Sequence, residues 1–237
     1  MAVMVAYLAN FGIPRSGEVL RGVTISTYEK IPFEKAFGTI ISERIADFIM
    51  LMLIIGIAMI LQTEYLLIYF EENNINPFLT IAVLFGLLAV GIFILKLIRK
   101  SKHGVILKVK AFAKGLLEGM RSILKMKNKG AFIFHTVFIW VMYVLMFYVL
   151  VFTVPETAAM PFGVVMMAFV VGSFAISATN GGIGVYPIAI GASLMLFGIS
   201  KEAGEAFGWI TWGTQTFLVI LAGGFSFLFL PIFNRQK

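Results

Sequence analysis

The chain has 237 residues, of which 60% are hydrophobic and 13% charged, with a formal net charge of +7. Its mean hydropathy is +0.97, and soluble domains carry about 25% charged residues, so this balance reads as an integral membrane protein rather than a soluble one. The absence of Cys excludes disulfides, thiolate catalysis and Cys-based metal sites.

Met1 to Phe11 is an apolar run without a basic leader or a small-residue cleavage site, so it does not read as a signal peptide. At 1.5 Å per residue it covers roughly half of a 30 Å hydrocarbon core, so it reads as a partial helix. The following stretch, "LANFGIPRSGEVLRG", is broken by Pro14, Ser16 and Gly17. It then places Glu18 and Arg21 three apart on one helical face, where they can pair with each other. Ser26 or Thr27 is a cap candidate, with Pro32 at an early helical position, so a long helix is expected from about Phe33 to Leu61. That helix would be about 44 Å long, more than the hydrocarbon core requires, and its first turns must project or tilt. Glu43, Arg44 and Asp47, the only Asp of the chain, fall near its transition into lipid.

Six spans are expected at Asp47 to Tyr65, Pro77 to Ile98, Ala131 to Phe152, Phe162 to Ala178, Ile183 to Gly198 and Trp209 to Pro231. With the partial first helix they make an all-α polytopic membrane bundle of about six to seven segments. The chain reads as a single domain, 1–237. Lys and Arg crowd the connection 96–130, which has Glu118 as its only acid. This connection is therefore expected to be cytoplasmic, together with the C-terminus bearing Arg235 and Lys237. Within it, Val105, Val109, Phe112, Leu116, Met120 and Ile123 form a helical apolar stripe among lysines, the pattern of a helix on the membrane surface. Such a surface attracts anionic lipid headgroups, or simply sets topology and caps the bundle. Glu64, Glu71, Glu72, Glu156, Lys201, Glu202 and Glu205 fall on the opposite side. In "FIFHTVFIWVMYVLMFYVLVF", interfacial belts and packing account for Trp140, Tyr143 and Tyr148.

Two elements cannot be continuous helix. "SATNGGIGVYPIAIG" breaks at Asn180, Gly181, Gly182, Gly184 and Pro187, as two thin spans joined by a tight turn or as one re-entrant hairpin. Irregular backbone at membrane depth is tolerated only where protein or a wet cavity meets its polar groups. A helix restarting there points free N–H groups at a phosphate or carboxylate. "LANFGIP" and "SATNGGIG" also share an apolar helix followed by Asn-x-Gly-Ile, and transporters place broken helices at corresponding positions of two halves. Five ionisable groups near one membrane face, Glu18, Arg21, Glu43, Arg44 and Asp47, suggest a polar pocket, or else interfacial anchors and ion pairs.

The motif Asn10, Pro14, Gly17, Glu18 and Arg21, then Glu43, Arg44 and Asp47 heading a long span, then Gly181, Gly182, Ile183 and Gly184 before the last helices, resembles the lysylphosphatidylglycerol synthase transmembrane-region family, the flippase-like domain proteins. The resemblance covers nearly the whole chain. It implies a polytopic protein of the inner or plasma membrane that moves a phospholipid or lipid-linked substrate between leaflets. Two departures accompany it: Asn180 and Tyr186-Pro187 stand where the family motif opens with Pro and ends in Arg-Glu, and the N-terminus is expected to lack the family's first one or two helices.

Three function classes follow. In a lipid translocator, Asn10, Glu18, Arg21, Glu43, Arg44 and Asp47 line a headgroup pocket that Asn180, Gly181, Gly182 and Gly184 close. Arg21 and Arg44 would hold phosphate, since a planar guanidinium binds two oxygens at once. A membrane scaffold for a lipid- or glycan-modifying enzyme is the alternative. An intramembrane enzyme is the least supported: only His103 and His135 are present, without a metal-binding His pair or a Gly-x-Ser-x-Gly elbow, although Glu43 with Asp47 could act as paired acids. The expected partners are membrane lipids, with no cofactor, metal or nucleic acid.

Overall fold

The computed structural model describes residues 1–13, 16–72, 76, 79, 86, 90 and 128–234. The expected span Pro77 to Ile98, the basic connection 96–130, Pro14 and Arg15, and the C-terminal Arg235 and Lys237 lie outside the described residues, isolated positions in the span apart. In chain order, α1 is Ala2–Gly12, α2 Gly17–Glu29, α3 Phe33–Leu61, α4 Thr63–Glu72 and α5 Lys129–Leu150, which ends in a 3₁₀ turn, Val151–Thr153. After that turn come α6 Phe162–Ala178, α7 Val185–Met195 and α8 Lys201–Phe233. The described residues contain no strand, and the protein is an all-α membrane bundle.

Among the described residues three helices, α3, α5 and α8, are long and apolar enough to cross a membrane. By contrast α1 and α7 have 11 residues each, about 16 Å, and cover only half of a hydrocarbon core. The third helix has the bounds expected from the sequence, but not the expected cap. Ser26 and Thr27 lie inside α2, where the Ser26 hydroxyl donates to the Ile31 carbonyl at 2.7 Å. The residue before α3 is Pro32, with ψ 137° and no side-chain cap. Proline suits that place because its missing N–H is one that the first turn cannot bond anyway. Lys30 ends α2 in the left-handed region, φ 54°. The last helix starts at Lys201 rather than Trp209, because Ser200 caps it by accepting from the Ala203 amide. In turn the Ser200 amide and hydroxyl donate to Glu156 at 3.1 and 2.7 Å, which places a carboxylate at the positive end of α8.

The dry core occupies the half of the bundle that contains Leu61 and Leu150, here the upper half. There Ile54 and Ala58 of α3, Phe147 of α5, Val165 and Phe169 of α6, Ile190 and Leu194 of α7 and Phe207 of α8 form one buried cluster. Phe147 meets Phe169 and Phe207 edge-on, with centroids 5.7 and 5.1 Å apart, the arrangement that aromatic quadrupoles favour. Glycines let α7 and α8 approach closely: a Cβ on Gly208 would come within 2.6 Å of the Pro187 Cα, and one on Gly204 within 2.9 Å of the Gly191 Cα. Outward-facing Phe48, Ile60, Phe134 and Leu228 are exposed, as lipid-facing side chains are. The lower half, where α1, α2 and the first half of α3 meet, holds the arginine–carboxylate network.

Candidate functional site

The charged side chains of α2 and α3 converge, and they pair both between the two helices and along α3. The pair Glu18 with Arg21 within α2 is not what forms. Arg21 of α2 makes a bidentate ion pair with Glu43 of α3, one bond from Nη2 to Oε1 at 2.9 Å and the other from Nη1 to Oε2. Arg44 of α3 approaches Glu18 of α2 at 3.8 Å and bonds Asp47 one turn on at 3.2 Å. Glu43 and Asp47 therefore each have their own guanidinium and do not form an isolated carboxylate dyad. The five groups sum to a formal charge of −1, two arginines against three carboxylates.

A residue that sequence reading placed in an interfacial belt belongs to this site. The Trp140 indole N–H of α5 donates to Asp47 Oδ1 at 3.2 Å. Tyr143, one turn further on α5, faces Tyr7 of α1, with Asp47 and Arg44 close enough to act on its hydroxyl. Trp140 sits midway along α5, about 16 Å from its Lys129 end and about 15 Å from Leu150. A helix of 22 residues is about 33 Å long, about one bilayer core, and Asp47 lies level with its middle. No spacing in the sequence signals a contact between residues 93 apart; the nearest signal is an indole N–H that needs a partner once buried.

Asn10 serves the backbone. Its Oδ1 accepts the Gly17 amide at 2.8 Å, so it satisfies a free donor at the start of α2. Gly17 is required there, because a Cβ would lie 2.2 Å from the Ala6 carbonyl oxygen and 2.8 Å from the Asn10 amide. A cleft lined by Val3, Ala6, Tyr7, Asn10, Glu18, Arg21 and Arg44 runs between these helices, with a volume of about 10 Å³. That is room for about one water molecule. Arg21 Nε is buried there without a partner among the described residues.

The Gly-rich loop is placed differently. Gly181, Gly182 and Gly184 have φ of 68°, 78° and 71°, a region that glycine reaches without strain. The Trp212 indole donates to the Gly181 carbonyl at 2.7 Å, and the Gly182 amide to Thr179 Oγ1 at 3.1 Å. A Cβ on Gly181 would meet the Phe11 ring at 3.3 Å. The loop thus abuts the end of α1 next to Asn10, but on the flank of α1 that faces α8, and it does not line the cleft. The structure brings together six of the ten candidate residues; Asn180, Gly181, Gly182 and Gly184 stand beside them. Among the described residues no group of three or more His, Asp or Glu could hold a metal ion.

The charged residues of the flippase-like motifs thus meet between α2 and α3, with the Gly-rich loop beside them. Residues 1–223 match the Lysylphosphatidylglycerol synthase TM region family. The chain belongs to that family. Membership and the apolar helices make it a multi-pass membrane protein of lipid-related processes. No curated protein and no solved structure matches the chain.

Proposed function

We propose that this family member moves a phospholipid or lipid-linked substrate between the leaflets of the inner (plasma) membrane, without enzymatic activity of its own. The observation that supports this reading is the Asp47–Trp140 hydrogen bond. It anchors two arginines and three carboxylates at the middle of a spanning helix. Charges at such depth cost about 2.5 to 3.5 kcal/mol each on insertion scales, and proteins retain them where a polar substrate or ion passes. Arg21 and Arg44 are the phosphate contacts, and Arg21 Nε is the donor left for a headgroup oxygen. The cleft is closed at the size of one water, so a headgroup enters by parting Arg21 from Glu43. The basic connection 96–130 and the C-terminus face the cytoplasm, where lysines attract anionic headgroups, and the lower half of the bundle opens toward that leaflet.

The second reading, a scaffold for a lipid- or glycan-modifying enzyme, draws on the same closed cleft. Reconstitution separates the two. In liposomes the protein accelerates transbilayer movement of labelled phospholipid, and Arg21→Ala with Arg44→Ala abolishes the acceleration while the protein still elutes as folded material. Protein that moves no phospholipid, and whose double variant leaves the cellular phenotype unchanged, is a scaffold.

A further inference from the structure

Two hairpins enter the bundle from opposite ends. Along α8, Gly223 touches Leu8 and Met4 of α1, while Phe11 reaches Gly181, whose carbonyl is bonded by Trp212. The contacts on α8 thus descend from 223 to 212 as α1 advances, so α1 runs antiparallel to α8. Pro187 meets Gly208 and Gly191 meets Gly204, so α7 also runs antiparallel to α8, above α1. The two half-length helices stand end to end along one long helix, with the Gly-rich loop at their junction. From α1 the chain turns back, since Gly17 lies against Ala6 and Asn10, and α2 descends until Gly22 lies against Phe33 and Phe37 at the start of α3. The other hairpin starts at the opposite end: Gly163 lies against Leu61 and Gln62. From there the 17 residues of α6 run about 26 Å back, to the level of Asp47, before α7 returns.

We propose that the chain consists of two inverted units, 2–61 and 162–233, each a hairpin that dips into the bilayer and turns back, followed by a long spanning helix, and that the two tips meet inside the membrane. Each first arm packs on the other unit's long helix, α1 on α8 and α6 on α3; each second arm packs on its own, α2 on α3 and α7 on α8. Interchanging the units maps every one of these contacts onto another, which is the property of a two-fold axis lying in the membrane plane. The sequence repeats at the same place: Asn10-Phe11-Gly12-Ile13 and Asn180-Gly181-Gly182-Ile183 are the two tips. Neither tip crosses in this arrangement, because α1 and α7, at 11 residues each, reach only about half of a hydrocarbon core. The arginine–carboxylate network belongs to the first unit alone. Arg44 and Trp212 stand equally far along their long helices, one lining the cleft and the other tying the Gly-rich loop. This architecture stands whether or not the protein moves lipid.

The chain has no Cys, so single introduced thiols report their own position to a membrane-impermeant maleimide applied to right-side-out or inverted vesicles. Lys35→Cys labels from one face and Lys201→Cys from the other. Ser16→Cys does not label from the Lys201 face and Asn180→Cys does not label from the Lys35 face, while every variant labels after denaturation. Labelling of Asn180→Cys from the Lys35 face means that α6 and α7 cross separately, and overturns the proposal. So does labelling of Ser16→Cys from the Lys201 face, or of Lys35→Cys and Lys201→Cys from one face. Ile13→Cys and Ile183→Cys, exposed in the same two tips, replace any tip variant that fails to accumulate as folded protein and are judged by the same outcomes.

Discussion

Arg21 and Glu43 meet through two parallel N–H···O bonds, a geometry that a guanidinium matches and an ammonium does not. Removing either partner leaves the other charge without its opposite, half-buried between α2 and α3. Arg21→Ala and Glu43→Ala therefore each lower the thermal stability of the purified protein, and the double variant loses less than the sum, a coupling of about 1 to 3 kcal/mol. Additive losses in that double-mutant cycle mean that the pair contributes nothing as a pair. Trp140→Phe tests the depth anchor: it keeps the ring but removes the donor to Asp47, and lowers lipid movement more than stability, which falls by about 1 kcal/mol. If Trp140→Phe retains full transport, Asp47 does not need that bond. The individual charged residues were legible from their cost in an apolar chain; their partners were not. Glu18 and Arg21 sit at the spacing of an intrahelical pair, yet α3 offers each an opposite charge and the interhelical geometry wins.

Helix bounds could be read from the sequence where apolarity and breakers are local: Phe33–Leu61 and Phe162–Ala178 have the expected bounds. Element edges failed where a tertiary contact set them. The start of α8 at Lys201 depends on Ser200 and Glu156, which are 44 residues apart. The expected span Ile183 to Gly198 shortens to Val185–Met195 because three positive-φ glycines precede it and Gly198, φ 81°, follows it. At this scale the close contact of α7 with α8 carries its own prediction. In Gly208→Ala the new methyl meets Pro187 backbone at 2.6 Å, which must shift, and overpacking of this kind costs about 1 to 3 kcal/mol. Gly213, one turn away with nothing within 4 Å, is the control: Gly213→Ala holds or gains stability, by up to about 1 kcal/mol, through helix propensity. Equal melting temperatures for Gly208→Ala and Gly213→Ala would remove the glycine contact as the reason that α7 is held against α8.

On the scale of the molecule, a dry upper half carries the aromatic core, and the lower half carries a paired but net acidic charge network. The fold class and membership in the family followed from hydropathy and three short motifs, since both are written into contiguous sequence. The level of the charges along the bundle did not, because it is seen only when α5 stands beside α3. The same asymmetry separates the two hairpins. One second arm, α7, is fixed to its long helix by glycine–backbone contact, while the other, α2, is tied to α3 by Arg21–Glu43 and Glu18–Arg44. Van der Waals contact between backbones has no cheap open state, whereas an ion pair exchanges partners with an incoming phosphate.

A charged cluster halfway across a bilayer would ordinarily threaten the membrane potential. Here the cleft between those charges has room for about one water, too little for a file of solvent along which ions or protons could run. This cleft therefore offers no water file of its own, and vesicles containing the protein are expected to hold a potassium gradient as long as empty ones do.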